Sequence, residues 1–260
     1  MKITLFTSNN KRHNYLINLL SEASNELFVI QECQTILPVP SYYNSSPIMN
    51  KYFENVFNAQ IQLFGNSYIN NKKNNTKILS IPSGDLNYCS MSFLKEFLKS
   101  DIYIVYGSSY IKGELADFLI KQKAINIHAG LSPYYKGSGC NFWALYDGNP
   151  NLVGATIHLL SKQLDGGPIL YHAMSNLKDN PYEYTMSVVK SAFLSLFERI
   201  NNRSIFKIQS TIQDKSKVIR YSKKDDFNEK IVKKYFEKEI DLNNSKFKNL
   251  LLKDPFFLNS

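Results

Sequence analysis

Residues 101–128 read DIYIVYGSSYIKGELADFLIKQKAINIH. The β-prone run Asp101–Tyr106 ends in the turn Gly107-Ser108-Ser109. A helical pattern over Gly113–Lys121 follows, then a second apolar strand at Ala124–Ile127. Two buried strands joined by one helix form a crossover unit, which places the strands parallel and side by side. The same alternation runs upstream. The strand Ile3–Thr7, the polar turn Ser8-Asn9-Asn10 and a helix carrying Leu16, Ile17, Leu19 and Leu20 lead to a strand at Glu26–Gln31. Pro38 and Pro40 interrupt the chain. A helix over Ile48–Phe64 ends at Gly65, a polar loop covers Asn66–Thr76, a strand covers Lys77–Ile81 and a helix covers Met91–Leu98. The expected fold class is therefore α/β, a doubly wound and mostly parallel sheet. In such sheets ligands bind beyond the carboxyl ends of the strands, where Gly107-Ser108-Ser109 and Asn126-Ile127-His128 both fall.

Downstream, the spacing predicts a helix near Asn141–Tyr146, strands at Gly154–Leu160 and Pro168–His172, and a long helix over Pro181–Arg199 capped by Asn180. A strand at Val218–Tyr221 and a basic helix near Asp225–Lys238 follow. With 260 residues and 43% hydrophobic composition, the chain can build one sizeable core plus an appendage. We expect a catalytic domain over residues 1–203 and a basic, partly helical extension over 204–260. No apolar run is long enough to span a bilayer, and the N-terminus MKITLFTSNNKRH does not read as a signal peptide, so a cytoplasmic location is expected. Cys33, Cys89 and Cys140 form no metal-ligand pattern and read as small, partly buried hydrophobes; no metal is expected. The net charge is +9, of which residues 201–260 supply +6, with 14 Lys/Arg against 8 Asp/Glu. Mixed charge of this kind commonly marks a solvated helical face, and a packing or homodimer element is compatible with it.

Asn126 and His128 stand two apart on a strand and so project to the same face. An Asn amide donates without titrating, and a His donates or shuttles a proton near neutral pH. An Asp beside them, for which Asp165 is the candidate, stabilises an imidazolium and accepts a proton from an attacking group. This set suits acyl transfer to an amine, in which negative charge builds on a carbonyl oxygen. The residues alone leave other readings open: a histidine near a strand end is often structural, and Asp165-Gly166-Gly167 is also a tight-turn sequence. His158 and His172 read as structural, and Phe142 and Trp143 as core. No GxSxG motif or cysteine nucleophile arrangement is present, which favours direct attack by the substrate's amine.

Four segments in register carry a resemblance: Asn126-Ile-His128, Ser132-Pro-Tyr-Tyr-Lys-Gly137, Gly154-Ala-Thr-Ile-His158 and Leu164-Asp-Gly-Gly-Pro-Ile-Leu170. Their order and spacing resemble the formyltransferase family, well over Asp101–Leu170 and loosely upstream. The resemblance implies a Rossmann-like fold, N10-formyltetrahydrofolate as donor and a primary amine as acceptor. It places Asn126, His128 and Asp165 at the catalytic positions. It implies that Gly107, Ser108, Ser109, Tyr110 and Ile111 line the pterin pocket. Leu131, Ser132, Pro133, Gly137, Ser138, Gly139 and Asn141 would shape the wall near the formyl group. Lys136 stands where Arg is frequent, and loses its bidentate geometry. Lys11, Arg12 and His13, at the start of the first helix, are candidates for binding the substrate's anionic group.

Among the acceptors the resemblance implies, glycinamide ribonucleotide is disfavoured because SNNKRH lacks a Gly-rich first turn. Methionyl-tRNA is disfavoured because the last 60 residues show few strand signals, whereas that family carries a C-terminal barrel. A nucleotide-linked amino sugar is the expected acceptor, with the Pro- and Tyr-containing segment Leu37–Tyr52 contributing. Alternatives are a formyltetrahydrofolate hydrolase and, outside enzymes, a basic nucleic-acid-binding protein; nucleic acid and membrane partners are not expected.

Overall fold

The computed structural model describes residues 1–34, 46–243 and 250–258. The Pro-containing start of the 37–52 segment thus lies outside the described residues. An eight-stranded sheet is built from β1 (Lys2–Ser8), β2 (Glu26–Cys33), β3 (Thr76–Pro82), β4 (Ile102–Val105), β5 (Ile125–His128), β7 (Ala155–Leu159), β8 (Ile169–Ser175) and β10 (Phe256–Leu258). A separate two-stranded sheet pairs β6 (Tyr135–Gly137) with β9 (Arg220–Ser222). The helices are α1 (Lys11–Ala23), α2 (Pro47–Phe64), α3 (Gly113–Lys121), α4 (Cys140–Tyr146), α5 (Pro181–Asn201) and α6 (Glu229–Glu237). The strand order is β10-β8-β7-β5-β4-β1-β2-β3. All neighbours are parallel except β5–β7 and β7–β8. The chain winds from β1 outward through β2 and β3, then returns to the other side of β1 with β4 and β5. This reversal leaves a crevice at the carboxyl ends of β1, β4 and β5.

Alternation along the strands explains the two layers. Ile3 and Leu5 of β1 join Ile102, Ile104, Ile125 and Ile127 in a core closed by Leu16 and Leu20 of α1 and Phe193 and Leu196 of α5. Phe6, Tyr103 and Val105 face the other side, where Leu115 and Leu119 of α3 cover them. A third cluster lies beside the crevice and joins Phe142 and Trp143 of α4 to Tyr184 and Val188 of α5 and Val232 and Tyr235 of α6. The sequence placed α5 well. Asn180 caps it by accepting from Tyr182 N and Glu183 N, and Pro181 sits in its first turn.

Three expectations need correction. Met91–Leu98 is not an α-helix; only a 3₁₀ turn at Lys95–Leu98 forms. The backbone closes i→i−3 bonds instead, with Lys95 N donating to Ser92 O and Phe97 N to Leu94 O, while Thr4 Oγ1 and Tyr103 Oη tie Phe97 O and Leu98 O to the sheet. The tail helix begins at Glu229 rather than Asp225, because Asn228 caps it. The tail also holds one strand that was not expected, β10, besides β9, which overlaps the strand expected at Val218–Tyr221.

Candidate active site

The crevice is a cleft of about 1200 Å³. Asn126 and His128, at the end of β5, line it together with Asp165, which lies on the loop after β7. His128 Nδ1 is 3.3 Å from Asp165 Oδ1, and both side chains are largely buried. The other ring nitrogen is 3.2 Å from Tyr135 O. Asp165 Oδ2 accepts the Gly137 N–H at 2.9 Å. Gln213 donates to the backbone carbonyls of Asp165 and Gly167 at 2.8 and 2.7 Å. The turn and the functional reading of Asp165-Gly166-Gly167 therefore coincide. Asp165 takes φ +48°, a conformation that Asp tolerates better than most residues. A Cβ at Gly167 would sit 1.7 Å from Leu159 O, so only glycine allows the turn to close there.

Asn126 has a partner that the sequence reading took as merely structural. His158 Nδ1 is 2.8 Å from Leu159 O, which can only accept, so Nδ1 carries the hydrogen. His158 Nε2 must then accept from Asn126 Nδ2, 3.0 Å away. The ring thereby fixes which end of the amide faces which way. Burial pushes the His158 pKa down to about 4, so the neutral tautomer this bond needs persists through the physiological range. Asn126 and His158 are directly paired across β5 and β7, a register that only the folded sheet reveals.

The remaining candidates separate into three groups. Gly107, Ser108, Ser109, Tyr110 and Ile111 all line the cleft, as do Gly137, Ser138, Gly139 and Asn141. Leu131, Ser132 and Pro133 are buried behind it, where Thr156 Oγ1 accepts from Ser132 N and His172 Nε2 is 2.9 Å from Ser132 O. Arg12 lines the cleft and is braced by Tyr106 Oη at 3.0 Å and Gln60 Oε1 at 3.0 Å. His13 lines it too, but its ring is buried against Thr7 Oγ1 and Ser8 N, and burial together with Arg12 holds its pKa well below the usual range. Lys11 stands apart, its ammonium 4.0 Å from the Tyr68 ring centre. Lys136 is buried; desolvation lowers its pKa, while the Asp165 charge opposes that shift.

Two features escaped the sequence reading. Glu32, at the end of β2, is a buried carboxylate on the cleft wall. A charged residue ending an apolar strand was its only signal. The second feature is an aromatic wall. Tyr52 lies 5.6 Å from Phe142, 5.5 Å from Tyr182 and 5.1 Å from Phe227. These rings come from four elements distant in sequence, so no local pattern announces them. Lys223 and Lys224, just before Phe227, also line the cleft. Among the described residues, no group of three His, Cys, Asp or Glu converges to hold a metal ion, and no helix is long and apolar enough to cross a membrane.

Residues 108–188 match the family model described as formyl transferase. The methionyl-tRNA formyltransferase of Wigglesworthia glossinidia brevipalpis is 31% identical over 132 residues, 49% of this chain and 40% of the relative. The chain thus matches less than half the length of the curated relatives. A formyltransferase from Anoxybacillus kamchatkensis, solved with UDP-4,6-dideoxy-4-formamido-L-AltNAc and tetrahydrofolate, has the same fold, with a TM-score of 0.51, 21% identity and 87% of each chain covered. An N-formyltransferase from Helicobacter canadensis, solved with folinic acid and dTDP-3-aminofucose, shares it at a TM-score of 0.52 and 13% identity, over 88% of this chain and 73% of that one. The match spans Asn126, His128 and Asp165, so the segment that carries the candidate site is the segment similar to the formyl transferase family.

Proposed function

We propose that the protein transfers a formyl group from N10-formyltetrahydrofolate to the primary amine of a nucleotide-linked amino sugar. The observation that carries the transfer is the convergence of Asn126, His128 and Asp165 on one cleft, with His128 paired to Asp165. The cleft suits a reduced-pterin donor. Residues 107–111 line it without any backbone–backbone hydrogen bond among the described residues. Backbone groups of Gly107, Ser108 and Ile111 are thereby left for a ring with amide and amino edges. The donor, when bound, supplies the formyl carbon.

This chain's residues do the rest. Asn126, oriented by His158, offers its second amide N–H to the carbonyl oxygen that gains negative charge. His128 stabilises the same charge, and Asp165 holds the imidazole in place. Asp165 is also the base placed to receive a proton from the attacking amine. The acceptor reading rests on the Tyr52 wall, which offers stacking faces to a nucleobase, and on Arg12, Lys223 and Lys224, which offer charge to a diphosphate. Methionyl-tRNA is the second reading, favoured by the curated relatives.

The test is incubation with N10-formyltetrahydrofolate and a panel of nucleotide amino sugars, with methionyl-tRNA included, read by mass spectrometry. One added formyl group on a nucleotide sugar, lost in Asn126→Ala, is the expected result. Formylation of methionyl-tRNA alone replaces the acceptor. Release of formate without a formylated product points to hydrolysis, and an untouched donor overturns the catalytic reading.

A further inference from the structure

Glu32 is 2% exposed, and no Lys, Arg or His lies within ion-pair distance of it among the described residues. A buried carboxylate without a cation is costly unless hydrogen-bond donors surround it. Here three donors do. Oε1 accepts from Gly84 N at 2.8 Å and from Ser109 Oγ at 2.8 Å, and Oε2 accepts from Ser109 N at 2.5 Å. Two of the three belong to the 107–111 loop, and the third to the turn after β3.

That loop has little else to fix it. Gly107 and Tyr110 are exposed, and its backbone makes no ladder bond. Its other fastenings are side-chain bonds. Asn87 donates to Tyr110 O at 2.9 Å and accepts from Lys112 N at 2.8 Å. Tyr110 Oη reaches across to Lys162 O at 2.8 Å, on the loop that carries Asp165. Glu32 alone fastens the loop at Ser109, midway between the end of β4 and the Asn87 bonds.

We propose that Glu32 is a positioning residue for the formyl donor: its buried carboxylate sets the conformation of the 107–111 loop, and thereby the fit of the pterin against it. The inference rests on the donor reading above. Glu32 itself touches no reacting atom. Replacing the carboxylate by a carboxamide keeps its shape but brings an NH₂ against groups that donate. Ser109 N or Gly84 N then loses its acceptor, and the loop is free to shift.

The experiment uses the full chain and folinic acid as the binding probe, by titration calorimetry, on the wild type, Glu32→Gln and Ser109→Ala. We expect the Kd of Glu32→Gln to rise about tenfold, the size of one charge-assisted hydrogen bond lost from the bound geometry. Ser109→Ala, which loses one of the two loop bonds, should rise less. In steady state, the donor KM should rise more than kcat falls, while the acceptor KM stays within about twofold. A merely structural role would instead lower the melting temperature and weaken both substrates together, and that result overturns the proposal. So does an unaltered Kd in both variants. If Glu32→Gln does not fold, Ser109→Ala decides: a donor-specific rise supports the proposal and none overturns it. If the wild type binds no folinic acid, the donor reading falls first, and this inference with it.

Discussion

Asp165 shows how one residue serves both chain geometry and chemistry. Its positive φ suits an Asp or Asn, while its carboxylate faces His128 and Gly137 N. Asp165→Asn keeps the backbone preference and one acceptor oxygen but removes the charge. We expect kcat to fall on the order of 10²–10⁴-fold, as for loss of a general base, with little change in melting temperature. Asp165→Ala adds backbone strain of about 1 kcal/mol to the same loss, so comparing the two in kinetics and urea melts separates charge from conformation. Asn126→Ala removes a carbonyl donor and should lower kcat by roughly 10²–10³-fold. His158 gives a pH prediction. Its folded pKa, about 4, lies below the unfolded value, so between these two the unfolded chain binds the extra proton. Stability from this group is complete above the unfolded pKa near 6.5 and is lost as pH falls toward 4, with a slope of at most ~1.4 kcal/mol per pH unit. Urea melts at pH 5 and 7 should show a smaller pH difference in His158→Gln than in the wild type. Part of the slope survives, because burial lowers His13 and His172 in the same direction.

At the scale of elements, β6 and β9 form a clasp around the site. Gly137 ends β6, holds Asp165 through its N–H, and pairs with Ser222 of β9. Its φ is +90°, and a Cβ would stand 2.0 Å from Ser222 O. Gly137→Ala should therefore cost on the order of 3 kcal/mol in a urea melt and depress kcat as well, because the clasp and the carboxylate share one residue. The crossover units were readable because β1, β4 and β5 are apolar runs broken by turn residues, and α3 and α5 carry strong periodicity. β6 was not readable: three residues, Tyr135-Lys-Gly137, owe their strand geometry to a partner more than 80 residues away. The Met91–Leu98 pattern misled because apolar spacing alone does not separate an α-helix from the tighter turns that form there, in which Lys95 N donates to Ser92 O and Phe97 N to Leu94 O. At the site, Asn126 and His128 were legible from their two-residue spacing. Glu32 and the Tyr52 wall were not, because only tertiary packing brings their elements together.

For the molecule as a whole, the open matter is what residues 204–260 contribute. They carry +5 of the +9 net charge. The same segment also supplies β9 to the clasp, β10 to the edge of the main sheet, and Phe227, Val232 and Tyr235 to the cluster around Phe142. Further bonds fasten it: Arg220 pairs with both Asp147 oxygens at 2.9 and 2.7 Å, and Lys253 N donates to His172 Nδ1 at 2.8 Å. The charge is thus the solvated side of a segment whose apolar side is built into the fold. A chain ending at Arg203 would leave Gly137 without its strand partner and expose Phe142 and Trp143, an apolar loss too large for a marginally stable domain to absorb. We expect the truncated protein to aggregate or melt without cooperativity and to lose formyl transfer, with no gain or loss of salt-sensitive RNA binding relative to the full chain. Circular dichroism melts, the formylation assay and RNA titration at two salt concentrations check the three parts. A soluble, active remnant would make the segment an appendage. RNA binding lost on truncation, with catalysis intact, would make it a nucleic-acid module.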